Sequence, residues 1–234
     1  MAVIHRTTLK PTKLELLASW LPTRPWYAGT GEPALTRTGG FRLDDPEGEV
    51  GIEFMVATDA SGPDPVHYLV PLTYRGAALD GAEHALVGTM EHGVLGPRWA
   101  YDGAHDPVAV AQLLALFEGR VQAQAQSLTD TPDHEVTHSY TGDALPAWDG
   151  IVKATDDQDG TELPAPGGTT LRIHRVLRPT APDTAPSDAT GHVIGAWQSP
   201  DDARARAVIG AWQSPDDARA RAVFATLHPA AHRL

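Results

Sequence analysis

Prolines and glycines set the strongest limit on what this chain can fold into. There are 20 Pro and 22 Gly in 234 residues. A proline removes a backbone donor, and a glycine inside an element loses the most backbone entropy. Loops must therefore take most of them, and regular elements must be short. The clearest helix opens at Asp106-Pro107, with Asp106 as N-cap and Pro107 in the first helical position. Val110, Leu113, Leu114 and Phe117 mark its buried stripe, and Gly119 ends it. A shorter amphipathic helix is expected over 12–21. Thr12 caps it, Leu14, Leu17, Ala18 and Leu21 fall at helical spacing, and Pro22 stops it.

The rest reads as strands. Segments 41–44 and 50–58 flank the turn Asp45-Pro46-Glu47-Gly48. Ile52, Phe54 and Val56 alternate on one face, with Glu53, Met55 and Ala57 on the other. A third strand is expected over 66–74, with Pro71 best placed on an edge or at a bulge. Residues 121–133 read as a frayed helix extension and a linker. From 134 onward the chain reads as β, with strands at 135–140, 150–155, 169–177, 192–198 and 221–227. Segments 156–168 and 178–190 are rich in Pro, Asp, Thr and Gly and read as loops.

The tail holds a perfect tandem repeat: 193–207 and 208–222 are both VIGAWQSPDDARARA. Residues 204–213 would form an extra strand between two turns. The pattern predicts an α+β fold: antiparallel strands covered by the 106–119 helix, long Pro/Gly/Asp-rich loops and a C-terminal β-meander. Residues 1–133 form an α+β region, and 134–234 form a β-rich region that carries the repeat at 193–222. The two are expected to pack together as one unit.

Composition excludes several function classes. The net charge of −12 argues against a nucleic-acid partner, which needs clustered Lys and Arg. The longest apolar run, 108–117, is too short to span a bilayer and contains Gln112. The first residues lack an apolar signal segment, so a cytoplasmic protein without a membrane partner is expected. With no Cys, disulfides, thiolate catalysis and Cys-ligated zinc are out.

Motifs narrow the field further. Gly29-Thr30-Gly31-Glu32-Pro33-Ala34 superficially matches a dinucleotide loop, but no helical pattern follows it. No phosphate-cradling P-loop and no G-x-S-x-G occur. The chain contains no Asn, so a magnesium-holding Asn of a phosphotransferase cannot come from these residues. His84, His92 and His105, with Glu83, Glu91, Asp102 and Asp106, lack tight ligand spacing, so neither a metal nor a cofactor is expected. The acidic run Asp156-Asp157-Gln158-Asp159-Gly160 lacks the spacing of a calcium loop. Trp26, Tyr27, Trp99 and Tyr101 lie near turns and are the candidates for a carbohydrate-stacking or partner surface. Glu83, His84, His92, Asp102 and His105 are weaker polar-site candidates.

Four strings occur in order: Trp20-Leu21-Pro22-Thr23-Arg24-Pro25-Trp26-Tyr27-Ala28-Gly29, Val70-Pro71-Leu72-Thr73-Tyr74-Arg75, Glu83-His84-Ala85-Leu86-Val87-Gly88 and Tyr101-Asp102-Gly103-Ala104-His105-Asp106-Pro107. Together they resemble the N-terminal cap domain of actinobacterial maltokinases, from about Thr12 to Gly119. The resemblance implies a mostly antiparallel sheet with helices on one side. Complete maltokinases phosphorylate maltose with ATP, using sites in two kinase lobes that follow the cap. The corresponding Gly-rich loop, Lys and Asp/Asn set do not occur in this sequence, and Thr30 stands where the family has a basic residue. The resemblance thus implies a non-catalytic accessory protein of α-glucan, maltose or trehalose metabolism that binds or regulates a protein partner. The rivals are a module that contacts α-glucan directly, and an enzyme with an unrecognised site around Glu83, His84, Glu91, His92, Asp102 and His105.

Overall fold

The structure, a computed structural model, describes residues 9–126, 128, 130–146, 153–180, 188–198 and 219–229. Its elements begin with β1 (Leu9–Lys10), α1 (Lys13–Trp20), β2 (Leu35–Leu43), β3 (Gly51–Asp59) and β4 (Val66–Arg75). A hairpin of β5 (Leu86–His92) and β6 (Gly96–Asp102) leads to α2 (Pro107–Phe117). Then come β7 (Gln124–Ala125), β8 (Thr137–Tyr140), β9 (Thr155–Asp156) and β10 (Gly160–Pro164). The last are β11 (Thr170–His174), β12 (Val176–Leu177), β13 (Gly191–Gln198) and β14 (Arg219–His228).

Both helices are set by their ends. At α1 a capping box closes the first turn: the Thr12 hydroxyl accepts from Glu15 N, and the Glu15 carboxylate accepts from Thr12 N at 2.7 Å. At α2, Asp106 accepts from Val108 N at 3.0 Å, and Pro107 lacks an amide that would otherwise go unpaired. The helix stops at Gly119, whose φ of +70° lets Arg120 N reach Ala115 O and Gly119 N reach Leu116 O.

The strands form one antiparallel sheet in the order β1-β5-β6-β4-β3-β2-β13-β14-β11-β10-β9. The path also returns on itself. β12 directly follows β11 in the chain and pairs with β4, so β4, β3, β2, β13, β14 and β11–β12 make a closed circuit, a barrel. Pro71 explains where it closes. β4 pairs with β6 through Leu72–Arg75 and with β12 through His67–Tyr68. Leu69 N donates to Arg175 O, so by strand parity position 71 turns its missing N–H toward the fork between the two partners.

Strand alternation sorts the core. Ile52, Phe54, Val56 and Leu69 face inward with Phe41, the α2 residues Val110, Leu113, Leu114 and Phe117, and Leu171, Ile173, Val193, Trp197, Phe224 and Leu227. Phe41 stacks on Phe54 with ring centroids 4.6 Å apart. The opposite face carries Met55, Ala57, Tyr68, Val70 and Leu72, packed under Leu17, Trp20, Leu21 and Trp26. Each large apolar side chain removed from water in this way is worth about 1.5–3 kcal/mol.

This corrects the expected α+β fold with helices on one face. The fold is β-rich, and α1 and α2, the two α-helices among the described residues, lie on opposite sides of β3–β4. The physical reason is in β3, where both faces are apolar and both need cover. The expected C-terminal meander also gives way: β14 returns between β13 and β11 instead of at the end of the row. β10 falls where a loop was expected, and the β5–β6 hairpin occupies a segment for which no strand was expected. The extra strand anticipated at 204–213, and Trp212 within it, lie outside the described residues.

Candidate functional site

The motif residues mostly bind one another. Trp20 and Trp26 meet edge to face at 5.7 Å, and Tyr27 stacks on Tyr68 at 5.8 Å. The Tyr68 hydroxyl accepts from Ala28 N at 3.0 Å, and burial pushes its pKa up to about 12. The Tyr27 hydroxyl lies 3.1 Å from Gly31 O and 3.2 Å from Asp59, which also accepts from Ala34 N and Ser61 N at 2.9 Å each. Burial and the Asp59 charge raise the Tyr27 pKa.

Two acids of the Tyr101–Pro107 string each hold an arginine. Asp106 takes Arg75 in a two-point bridge, with Nε and Nη2 both at 2.7 Å. Arg75 ends the Val-Pro-Leu-Thr-Tyr-Arg string, so two motifs 31 residues apart meet in one ion pair. Asp102 accepts from Ala104 N and binds Arg175 Nη2 at 2.8 and 2.7 Å. Both side chains of this second pair are buried. Arg175 Nε donates to Thr161 Oγ1 at 2.7 Å, and its guanidinium lies 5.1 Å from the Trp26 ring centroid.

A third buried acid, Glu53, fixes α1 to the sheet. It pairs with Lys13 and accepts from Tyr74 OH at 2.8 Å and from Gln126 Nε2 at 3.0 Å. Burial pushes its pKa up, but Lys13, the Tyr74 hydroxyl and the Arg37 charge outweigh that and leave it below the ordinary carboxylate value.

Of the aromatic candidates, Trp26 and Tyr101 are buried, while Tyr27 and Trp99 are half-buried. They do not share one platform. Trp26 and Tyr27 pack with α1 and Tyr68, whereas Tyr101 and Trp99 pack with Leu79, Ala82 and Ala85. Tyr101 OH accepts from Leu79 N at 2.9 Å.

The polar candidates divide as well. His84 sits on a 3-10 turn, Glu83–Ala85, and His105 on another, Gly103–His105. The turns bring His84 Nε2 to 3.1 Å from His105 Nδ1, with Asp102 close behind. Burial lowers the His105 pKa, with the charges of Asp102, His84, Arg175 and Asp156 acting on it in both directions. Glu83 is exposed, and its carboxylate accepts from Gly81 N. His92 ends β5 at the far tip of the hairpin, where its Nδ1 accepts from Val94 N and Leu95 N.

Sequence reasoning missed Arg175, although the signal was readable. Leu171, Ile173, Arg175 and Leu177 are alternate residues, and all four are buried. A charge in the buried register of a strand demands a buried partner. A second histidine cluster was missed too. His174 Nε2 and His228 Nε2 lie 3.2 and 2.9 Å from Thr226 Oγ1, and Asp188 lies 3.6 Å from His228 Nδ1. Thr226 is fully buried and so offers a substrate no nucleophile.

Residues 20–106 match the sequence profile of the maltokinase N-terminal cap domain. The match runs from Trp20 to the Asp106 that holds Arg75, covers less than half of the chain, and includes three of the four strings whole and the fourth as far as Asp106. This span is therefore similar to a maltokinase cap in sequence. Comparison with curated proteins finds no match.

Proposed function

We propose that this protein is a non-catalytic, cap-like accessory protein of cytoplasmic α-glucan, maltose or trehalose metabolism, which binds or regulates a partner enzyme. The observation that carries this reading is the cap match over 20–106 in residues that hold no kinase catalytic set. The internal use of the motif side chains supports it: Trp26, Arg75, Asp102 and Asp106 are engaged in holding the sheet together. Val94 and Leu95, two large exposed apolar residues, sit together at the tip of the β5–β6 hairpin inside the matched span, and this tip is the surface offered to the partner.

Size-exclusion chromatography of the chain mixed with a maltokinase tests the reading. Co-elution that is lost with the double variant Val94→Asp/Leu95→Asp is the expected result. Independent elution, together with retardation of the chain by glycogen in a native gel, would replace it with the glucan-binding reading. Transfer of phosphate from ATP to maltose by the purified chain would overturn its non-catalytic part.

A further inference from the structure

We propose that His84 and His105 form a two-ligand site for a divalent cation of the zinc type, with water completing its coordination. The argument starts from geometry. Two nitrogens bound to one tetrahedral zinc at about 2.0–2.1 Å stand about 3.3 Å apart. His84 Nε2 and His105 Nδ1 stand 3.1 Å apart in a hydrogen bond, with ring planes at 84°, and a bound ion would replace the proton they share. Both are ordinary metal-binding positions of a neutral imidazole.

The two turns that carry these rings are also held in place. The His84 turn is fixed by Ala85 N on Ala82 O at 2.9 Å, and Ala85 is buried. The His105 turn is fixed by Asp102 on Ala104 N, and by Asp106 N on Gly103 O. Asp106 is itself anchored by Arg75. A chelate on two rigid turns loses little freedom when an ion arrives.

Charge favours a cation. The Asp102 and Asp156 charges both act on His105 in the sense that favours a cation, and the opposing Arg175 charge is taken up by Asp102 in a buried ion pair. His84 is exposed, so an ion has a path from solvent and room for bound water. Among the described residues no group of three or more His, Asp or Glu is arranged to hold a metal. The site therefore has two protein ligands and binds its ion exchangeably, unlike a closed structural zinc centre.

The test uses the untagged full chain, zinc chloride and a competing chromophoric chelator, with cobalt(II) absorption as an independent readout of nitrogen coordination. One zinc ion per chain is expected. Because His84 is exposed, His84→Gln leaves folding intact by circular dichroism, and it should raise the zinc Kd by at least about tenfold. His105→Gln should do the same, whereas His92→Gln at the hairpin tip should leave the Kd unchanged. Zinc binding by His84→Gln as tight as that of the unmodified chain would overturn the assignment. So would unmodified protein that binds zinc no better than the His84→Gln/His105→Gln double variant.

Discussion

The span that matches the maltokinase cap and the strands after residue 134 contribute to one sheet in contrasting ways. In the matched span, neighbours in sequence are neighbours in space: β2, β3 and β4 pair in turn, and β5 pairs with β6. Its ion pair, Arg75–Asp106, begins and ends within the span. The later strands reach across long intervals. β8 pairs with β13, β11 with β14, and β12 crosses back to β4. One of their ion pairs, Asp102–Arg175, joins the two regions and is sealed from water. Local pairing carries little loop-closure cost, and long-range pairing must be held by something specific. Here a buried arginine at the barrel seam does that.

The largest expected effect follows from that contrast. Arg175→Met removes one partner of a buried ion pair and leaves Asp102 charged and unpaired, a loss of about 3–5 kcal/mol in urea unfolding. The double variant Asp102→Leu/Arg175→Met should recover most of that loss. A single variant as stable as the parent would show that the seam does not depend on the pair.

Leu113→Ala is next. Leu113 is only 2% exposed and lies between α2 and the barrel interior, so the truncation should cost about 2–5 kcal/mol. A cost near zero would mean that α2 does not close the barrel.

The pH dependence comes third. Burial holds His174 down to about 4, against an ordinary 6.5. The unfolded chain therefore takes up this proton first, and stability falls as pH drops from about 6.5 to about 4 and changes no further from this group below that. The shift corresponds to roughly 3 kcal/mol. His105 is shifted in the same direction and adds to the slope. Guanidinium unfolding at pH 7, 5.5 and 4 should show a shallower slope for His174→Gln; an unchanged slope would remove His174 from the account.

The smallest effect is expected from the repeat. The first copy supplies the VIGAWQ of β13 and the second supplies the RARA that opens β14, with Gln198 paired to Arg219. Deleting 193–207 leaves the same VIGAWQ and RARA sequences, joined by Ser214-Pro215-Asp216-Asp217-Ala218. That is an ordinary hairpin-loop length. The deletion variant should fold with a Tm equal to or above that of the full chain. An aggregated product would show that the duplication has become structurally required.

The comparison also explains what could be read in advance. The cap-like strings, both helix starts and the two faces of β3 were legible because each rests on neighbouring residues: Thr12 with Glu15, Asp106 with Pro107, Ile52 with Phe54 and Val56. Placing the helices on opposite faces was within reach, since Met55 and Ala57 form a second apolar face. The β5–β6 hairpin was hidden because Gly88, Gly93 and Gly96 interrupt any clean alternation. The His84–His105 contact depends on two turns that only the folded hairpin brings together. The barrel closure was beyond local pattern, because β12 meets β4 through pairs such as Val176 with Tyr68 that no short-range signal links.

Amide hydrogen exchange at the seam tests the central claim, that both regions stand or fall as one barrel. Leu69 N donates to Arg175 O across the seam at 2.9 Å, while Val56 and Leu69 pair within the matched span, and Ala225 pairs with Val193 in the later strands. If the circuit is closed, the amides of Leu69, Val56 and Ala225 that are protected from solvent exchange with one opening free energy, equal to that of global unfolding. Exchange of Leu69 and Ala225 at a much lower free energy than Val56 would contradict the claim, because the later strands would then open while the cap-like sheet stays folded.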